Sequence, residues 1–268
     1  MKEDHLNAYL NSLRKIITKQ IEDLRREMIR TNNRNAKKSH IEEIQKVNNQ
    51  EKRKSKIINA SILTEIKQTD VQVMNEAKAS IETLAKLFRL LQLFCEGHNL
   101  SLQNHLRFQT ISNGTPNFKS YDFISNCAAW FGSYIKFANA ECLEFGDRML
   151  DFMIEAVQGP CTENQSMLVN SKIINFCMDY ATTFHKKSDR KLRGFTDENF
   201  DDLTASITKA MKLLYSLLEG NMDESIISEM CHHIDFEYLM NKLKEDYESF
   251  LERHKISKTA RIYSINET

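Results

Sequence analysis

Apolar residues recur at helical spacing along most of the chain, and several of the helices they predict have well-marked ends. Near the N-terminus, apolar positions three and four residues apart predict an amphipathic helix over 1–30. That apolar stripe consists of Leu6, Leu10, Leu13, Ile17, Ile21, Leu24 and Met28. Polar and basic residues then replace the pattern, which predicts a basic flexible linker over 31–56.

A helical body is expected over 57–254, followed by a tail at 255–268. Its first long helix ends at Glu96, because Gly97 is a typical left-handed C-terminal cap, and Gly159-Pro160 ends another. The predicted helices after Glu96 are 100–108, 118–135, 142 or 143–157, 164–184, 203–217, 223–232 and 236–251, with a basic loop at 185–194 and packed apolar residues throughout the last helix. Helices of this length joined by short loops predict an all-α fold, an irregular armadillo-like α-solenoid or helical bundle, although no clean sequence period is evident.

Composition supports this fold class. Only 7 Gly and 2 Pro occur among 268 residues, too few for the many tight turns of an α/β or all-β protein. No apolar run approaches the roughly 20 residues that span a bilayer, and the charged start lacks the apolar region of a signal peptide. The 6 cysteines are widely spaced, which favours reduced thiols in a cytosolic core over a disulfide framework. The glycosylation sequons are therefore expected to be unused; they begin at Asn113, Asn164 and Asn266.

The net charge of zero hides an uneven distribution. Residues 1–60 hold 15 Lys and Arg against 8 Asp and Glu. A basic segment suits nucleic acid or anionic lipid, but this one offers only Tyr9 for stacking on bases. A solvated helix and linker is the favoured interpretation, and no nucleic-acid partner is expected.

Enzymatic sequence patterns are absent, so we expect no catalytic activity. The chain has no Gly-rich phosphate loop, no GxSxG and no HExxH. Two short stretches resemble halves of a zinc site, Cys95–His98 and Cys231–His233, but their spacing matches no standard zinc finger. Zinc is therefore a minor alternative.

Two glutamates lie at helix ends where their charge is unfavourable. Glu96 directly precedes Gly97, and Glu155 lies four residues before Gly159. A carboxylate at the negative end of a helix dipole is disfavoured by about 0.3–1 kcal/mol. A hard cation such as Ca²⁺ would supply the missing attraction, because carboxylates and open carbonyls meet at helix C-termini. On the residues alone, two solvated glutamates remain the favoured alternative.

Three stretches resemble one known family. LFRLLQLFCEGHNLSLQNHLRFQ (87–109) and EAVQGPCTENQSMLV (155–169) resemble the RIH-associated domain of ryanodine and inositol trisphosphate receptors. CEGHN, together with LLYSLLEGNMDESIISEM (213–230), is closer to the ryanodine receptors. The similarity covers roughly 80–252.

The resemblance implies a segment of a tetrameric calcium-release channel, on the cytoplasmic face of the endoplasmic or sarcoplasmic reticulum. It implies that Glu96 and Glu155 bind the activating Ca²⁺, while His98 and Gln158 orient those carboxylates. A carbonyl from beyond the pore would complete the site, so the isolated chain is expected to bind Ca²⁺ only weakly.

The chain lacks a pore helix, a selectivity filter and an EF-hand, and it cannot conduct ions alone. Other channel segments and subunits are therefore the expected partners. The alternative is a non-channel helical scaffold that retains the domain and binds partners through helix 1–30.

Overall fold

A computed structural model describes residues 6–26 except 9 and 25, and residues 78–110, 120–184 and 187–253. These residues form helices and no β-strand beyond the single bridge residue Thr110, so the all-α prediction is confirmed. The predicted linker 31–56, the tail 255–268, and the sequons at Asn113 and Asn266 lie outside the described residues. The domain boundaries stay predictions.

Most helix bounds lie close to the predicted ends, but the helix predicted from 118 begins at Phe123, because the Asp122 side chain caps its N-terminus. The helices are α1 (within 6–26), α2 (78–95), α3 (Leu100–Arg107), α4 (Phe123–Tyr134), α5 (Leu143–Val157), α6 (Thr162–Asn170), α7 (Ile173–Thr183), α8 (Lys187–Leu192), α9 (Phe200–Leu218), α10 (Glu224–His233) and α11 (Phe236–Arg253). A short 3₁₀ turn, Ala140–Cys142, precedes α5. No helix in the described part of the chain is both long and apolar enough to cross a membrane.

From α2 onward the helices form three successive triplets, α2–α3–α4, α5–α6–α7 and α9–α10–α11. The long helices α2, α5 and α9 form one row: the Phe88 ring of α2 meets Phe145 and Phe152 of α5, and α5 packs most extensively on α9. The short helices α3, α6 and α10 form a second row, and α4 packs beside α7 in a third. This arrangement is a stack of related helical units.

The triplets repeat at a nearly constant interval, which the sequence analysis missed. Each long helix is followed by a glycine with positive φ: Gly97 (+74°), Gly159 (+94°) and Gly220 (+62°). These glycines are 62 and 61 residues apart. The period is hidden because the three triplets share only a few residues around each turn.

Helix α1 packs on the same core as the triplets. Leu10, Ile17 and Leu24 are at most 2% exposed. The Asn7 side chain donates to the Thr110 carbonyl at 2.6 Å, and the Arg14 guanidinium lies 4.2 Å from the centre of the Tyr121 ring. The described part of the apolar stripe, Leu6 to Leu24, therefore packs against the chain's own core.

Three predictions about helices are wrong. The helix expected over 164–184 is broken at Ser171–Lys172, because Lys172 has φ +63° and a left-handed residue cannot continue a right-handed helix. The basic loop at 185–194 contains α8.

The third error concerns α11, whose apolar side chains were all expected to be packed. It presents Tyr238 and Leu239 to the core. An opposite stripe is exposed, consisting of Phe236, Met240, Leu243 and Tyr247.

Candidate cation site

The turn that follows α2 holds its polar residues at the surface. Cys95, the last residue of α2, is buried, whereas Glu96, Gly97 and His98 are exposed. Gly97 and His98 both have positive φ, +74° and +57°. A left-handed backbone costs a residue with a side chain about 1 kcal/mol or more, so neighbouring contacts must hold His98 in place.

His98 lies directly against the turn that follows α5. A Cβ atom added to Gly159 would be 2.4 Å from the Cβ of His98, far inside van der Waals contact. Gly159 also has φ +94°, so this position requires glycine for two reasons. The structure thus brings together the turns that contain Glu96 and His98 on one side and Gln158 on the other.

Glu155 reaches the same corner from the last turn of α5, where it is half-buried. Burial, followed by the charge of Glu155 and the nearby Cys161 thiol, raises the pKa of the Cys95 thiol from 9.0 to about 12. The Glu155 carboxylate therefore influences the residue that directly precedes Glu96. The Cys95 thiol is therefore protonated at neutral pH.

The open carbonyls expected at the end of α5 are already hydrogen-bonded. The last four carbonyls of α5 each accept one bond, two from backbone amides and two from buried side chains. The pairs are Gln158 N to Ile154 O (3.1 Å), Gln103 Nε2 to Glu155 O (2.7 Å), Asn164 Nδ2 to Ala156 O (2.8 Å) and Cys161 N to Val157 O (3.0 Å). This overturns the expectation that open carbonyls accompany Glu155 here; its cation-binding atoms would be the carboxylate oxygens.

Gln103 is the important residue that the sequence analysis missed. It is 0% exposed, and its Nε2 also donates to the Gln158 carbonyl at 2.8 Å. Gln165 repeats this arrangement one triplet later, where its Nε2 donates to the carbonyls of Ser216 (3.0 Å) and Glu219 (2.9 Å). Each glutamine lies six residues after the glycine of its own triplet, a signal that the sequence does contain.

Asn164 supports Gln103 from α6. Its Nδ2 donates to the Gln103 carbonyl at 3.1 Å, and its Oδ1 accepts a hydrogen bond from Arg107 Nε at 2.9 Å. Asn164 is 0% exposed, so this sequon is inaccessible in the folded chain.

A second corner, where the turn after α5 meets the turn after α9, allows a direct comparison with the candidate site. Counted from the glycines, Gln158 occupies the position of Glu96, Pro160 that of His98, and Ser216 that of Glu155. The turns again touch, with Pro160 Cγ 2.6 Å from a Cβ added to Gly220. In the first of these two equivalent corners both positions carry a carboxylate, Glu96 and Glu155.

A complete metal cage is not present in the described residues. Within them, no three or more His, Cys, Asp or Glu side chains are grouped so as to hold a metal ion. Ca²⁺ prefers 6–8 oxygen ligands, so Glu96 and Glu155 would supply only part of its coordination. The zinc alternative receives no support from this geometry.

Residues 78–181 match the family model described as RyR and IP3R Homology associated. The matched range contains Glu96, Glu155 and Gln103, whereas α1 and α9–α11 lie outside it. The match relates this range, which is less than half of the chain, to the domain that the description names. The description covers both receptor types, so the closer likeness to ryanodine receptors stays a prediction.

Proposed function

We propose that this chain is a calcium-responsive helical module of a calcium-release channel of the ryanodine and inositol trisphosphate receptor type. In this proposal Glu96 and Glu155 bind Ca²⁺, and His98 and Gln158 orient the two carboxylates. The module would lie on the cytoplasmic face of the endoplasmic or sarcoplasmic reticulum, within a tetrameric channel. No enzymatic step is part of the proposal.

The direct contact between His98 and Gly159 carries this proposal. It brings two turns 62 residues apart into one corner, and both turns fall within the range that matches the family model. The left-handed backbone of His98 supports a functional role, because such conformations cluster at binding sites.

Each residue has a separate task in the proposed site. Bound Ca²⁺ would attract the two carboxylates and offset their unfavourable position at helix ends. Glu96 is on the exposed turn, so it can adjust to the ion, whereas half-buried Glu155 is fixed by α5. Further ligands would come from water or from another channel segment, and this second source would couple the corner to the pore by rigid-body motion.

Calcium titration of the full chain tests the binding step. The wild-type chain is expected to bind Ca²⁺ weakly, with a Kd above the micromolar range, by calorimetry. The double variant Glu96→Gln and Glu155→Gln should lose this binding. Glu219→Gln is the matched control, because Glu219 occupies the position of Glu96 in the third triplet and should not affect binding. Submicromolar affinity, or equal binding by the double variant, would contradict the proposal.

A channel measurement tests the function itself. In a channel that carries this segment, the double Glu→Gln variant should shift calcium activation to higher concentrations. An unchanged activation curve would exclude a sensing role for this corner.

The scaffold alternative depended on a free apolar face on helix 1–30. The described part of that stripe is buried against the triplets, with Ile17 at 0% exposure. This observation favours the channel module over a scaffold that binds through α1.

A further inference from the structure

Gln103 joins the first triplet to the residues that present Glu155. Its side chain extends from α3, and its Nε2 donates to the carbonyls of both Glu155 and Gln158. Both neighbours are carbonyl oxygens, so the amide nitrogen must face them. One buried amide group therefore fixes the backbone at both ends of the last turn of α5.

The surroundings of Gln103 leave little freedom for another arrangement. Gln103 is 0% exposed, and Asn164 Nδ2 donates to its backbone carbonyl at 3.1 Å. The side-chain oxygen of Gln103, Oε1, has no hydrogen-bond partner among the described residues. The side-chain amide of Gln103 therefore forms hydrogen bonds through its NH₂ group alone. The two carbonyls that accept them belong to the turn beside the candidate site.

We propose that Gln103 is a positioning residue for calcium, holding Glu155 at the separation from Glu96 that the ion requires. This inference rests on the proposed cation site. Gln103 belongs to the same triplet as Glu96, but it contacts the backbone of Glu155 in the next triplet. A change in how these triplets pack would thus be transmitted to the spacing of the two carboxylates.

Gln165 provides an internal control for this proposal. It makes the same pair of hydrogen bonds, to Ser216 and Glu219, and it is equally buried. The corner that it braces carries Gln158 and Ser216 in place of the two glutamates. Loss of either glutamine should weaken the packing between triplets, but only Gln103 should influence calcium.

The experiment compares Gln103→Met with Gln165→Met in the full chain. Each variant removes one NH₂ group that donates two hydrogen bonds, and it leaves two backbone carbonyls without those bonds. Both should lower the midpoint of urea unfolding to a similar degree. Only Gln103→Met should weaken Ca²⁺ binding, by about 10-fold, as is typical when a residue that orients a metal ligand is lost. Equal affinities in both variants would overturn the proposal.

A measurement on the wild-type chain keeps the proposal testable if Gln103→Met does not fold. During Ca²⁺ titration, the side-chain amide NMR signals of Gln103 should shift with the same midpoint as the backbone signal of Glu155, while those of Gln165 should stay in place. A Glu155 shift without a Gln103 shift would overturn the positioning role alone. If the double variant Glu96→Gln and Glu155→Gln still binds Ca²⁺ as the wild-type chain does, the proposed site itself is wrong.

Discussion

The contact between His98 and Gly159 determines how closely the first two triplets can approach. His98 has a left-handed backbone, and its Cβ occupies the space that a side chain at position 159 would need. Gly97 also has positive φ, but the space around it is open to 4 Å. The two glycines therefore serve different purposes, one for backbone conformation alone and the other for conformation and contact.

Alanine substitution at these glycines should separate the two effects. Gly97→Ala introduces only an unfavourable φ and should lower the free energy of unfolding by about 1 kcal/mol. Gly159→Ala adds a collision with His98 and should lower it by about 3 kcal/mol. Urea unfolding at neutral pH provides the comparison. Equal losses of unfolding free energy in the two variants would show that the contact with His98 does not oppose the added methyl group.

Local residue patterns revealed the candidate carboxylates but not the residue that braces them. Glu96 and Glu155 were identifiable because each violates a rule of helix ends, and that rule depends only on neighbouring residues. Gln103 resembles an ordinary polar residue of a short amphipathic helix. Gln103 is buried because the end of α5 lies against it, and the Glu155 carbonyl that it contacts is 52 residues away in the sequence. A pattern of neighbouring residues cannot reveal a contact between residues so far apart.

At the scale of helices, the ends were more predictable than the continuity between them. Gly97, Gly159 and Gly220 marked the ends of α2, α5 and α9, because glycine is the residue best suited to a left-handed cap. The turn at Lys172 lacked such a residue, so the helical pattern of α6 ran into that of α7. The exposed stripe of α11 was misjudged since helical spacing reports a face, whereas burial depends on what covers it.

A partly buried ion network connects the two most extensively packed helices. Lys209 Nζ of α9 lies 3.2 Å from Asp147 Oδ2 and 3.1 Å from Asp151 Oδ2 of α5. These side chains are 20–33% exposed, so solvent screens them only in part. Lys209 of the third triplet therefore neutralises two neighbouring carboxylates on α5 of the second triplet.

Lys209→Met should lower the free energy of unfolding by about 1–2 kcal/mol, because it leaves both aspartates without their shared cation. Arg26→Met is the control, since Arg26 pairs with Glu22 on the surface, where both side chains are 59% exposed. That variant should unfold at the wild-type urea concentration. A Lys209→Met midpoint as high as that of Arg26→Met would show that the network adds nothing to triplet packing.

At the scale of the molecule, one core runs through α1 and all three triplets. It includes Leu10 of α1, Phe88 of α2, Phe152 of α5 and Leu217 of α9, each at most 2% exposed. The range that matches the family model ends at residue 181. The core of the chain therefore extends beyond the match, into α9. The candidate site rests on this core, since α5, which carries Glu155, contacts α2 through Phe88 and packs on α9.

The thiols buried in this core make global stability sensitive to alkaline pH. Burial raises the pKa of Cys95 to about 12 and that of Cys142 to about 11, from 9.0 for an ordinary thiol. Between these values the unfolded chain has released a proton that the folded chain still holds. Rising pH therefore favours unfolding, with stability intact below pH 9 and declining from there toward pH 12.

The effect of a single thiol can be isolated by comparing each protein with itself at pH 8 and pH 10. Over this range the Cys95 thiol should account for about 1.4 kcal/mol of the lost free energy of unfolding. Cys95→Ala should reduce the loss between pH 8 and pH 10 by that amount, whatever its stability at pH 8. Cys231→Ala should leave the loss unchanged, because Cys231 is exposed to solvent in the folded chain. If the two variants lose stability equally over this range, the Cys95 thiol is not held protonated by the core.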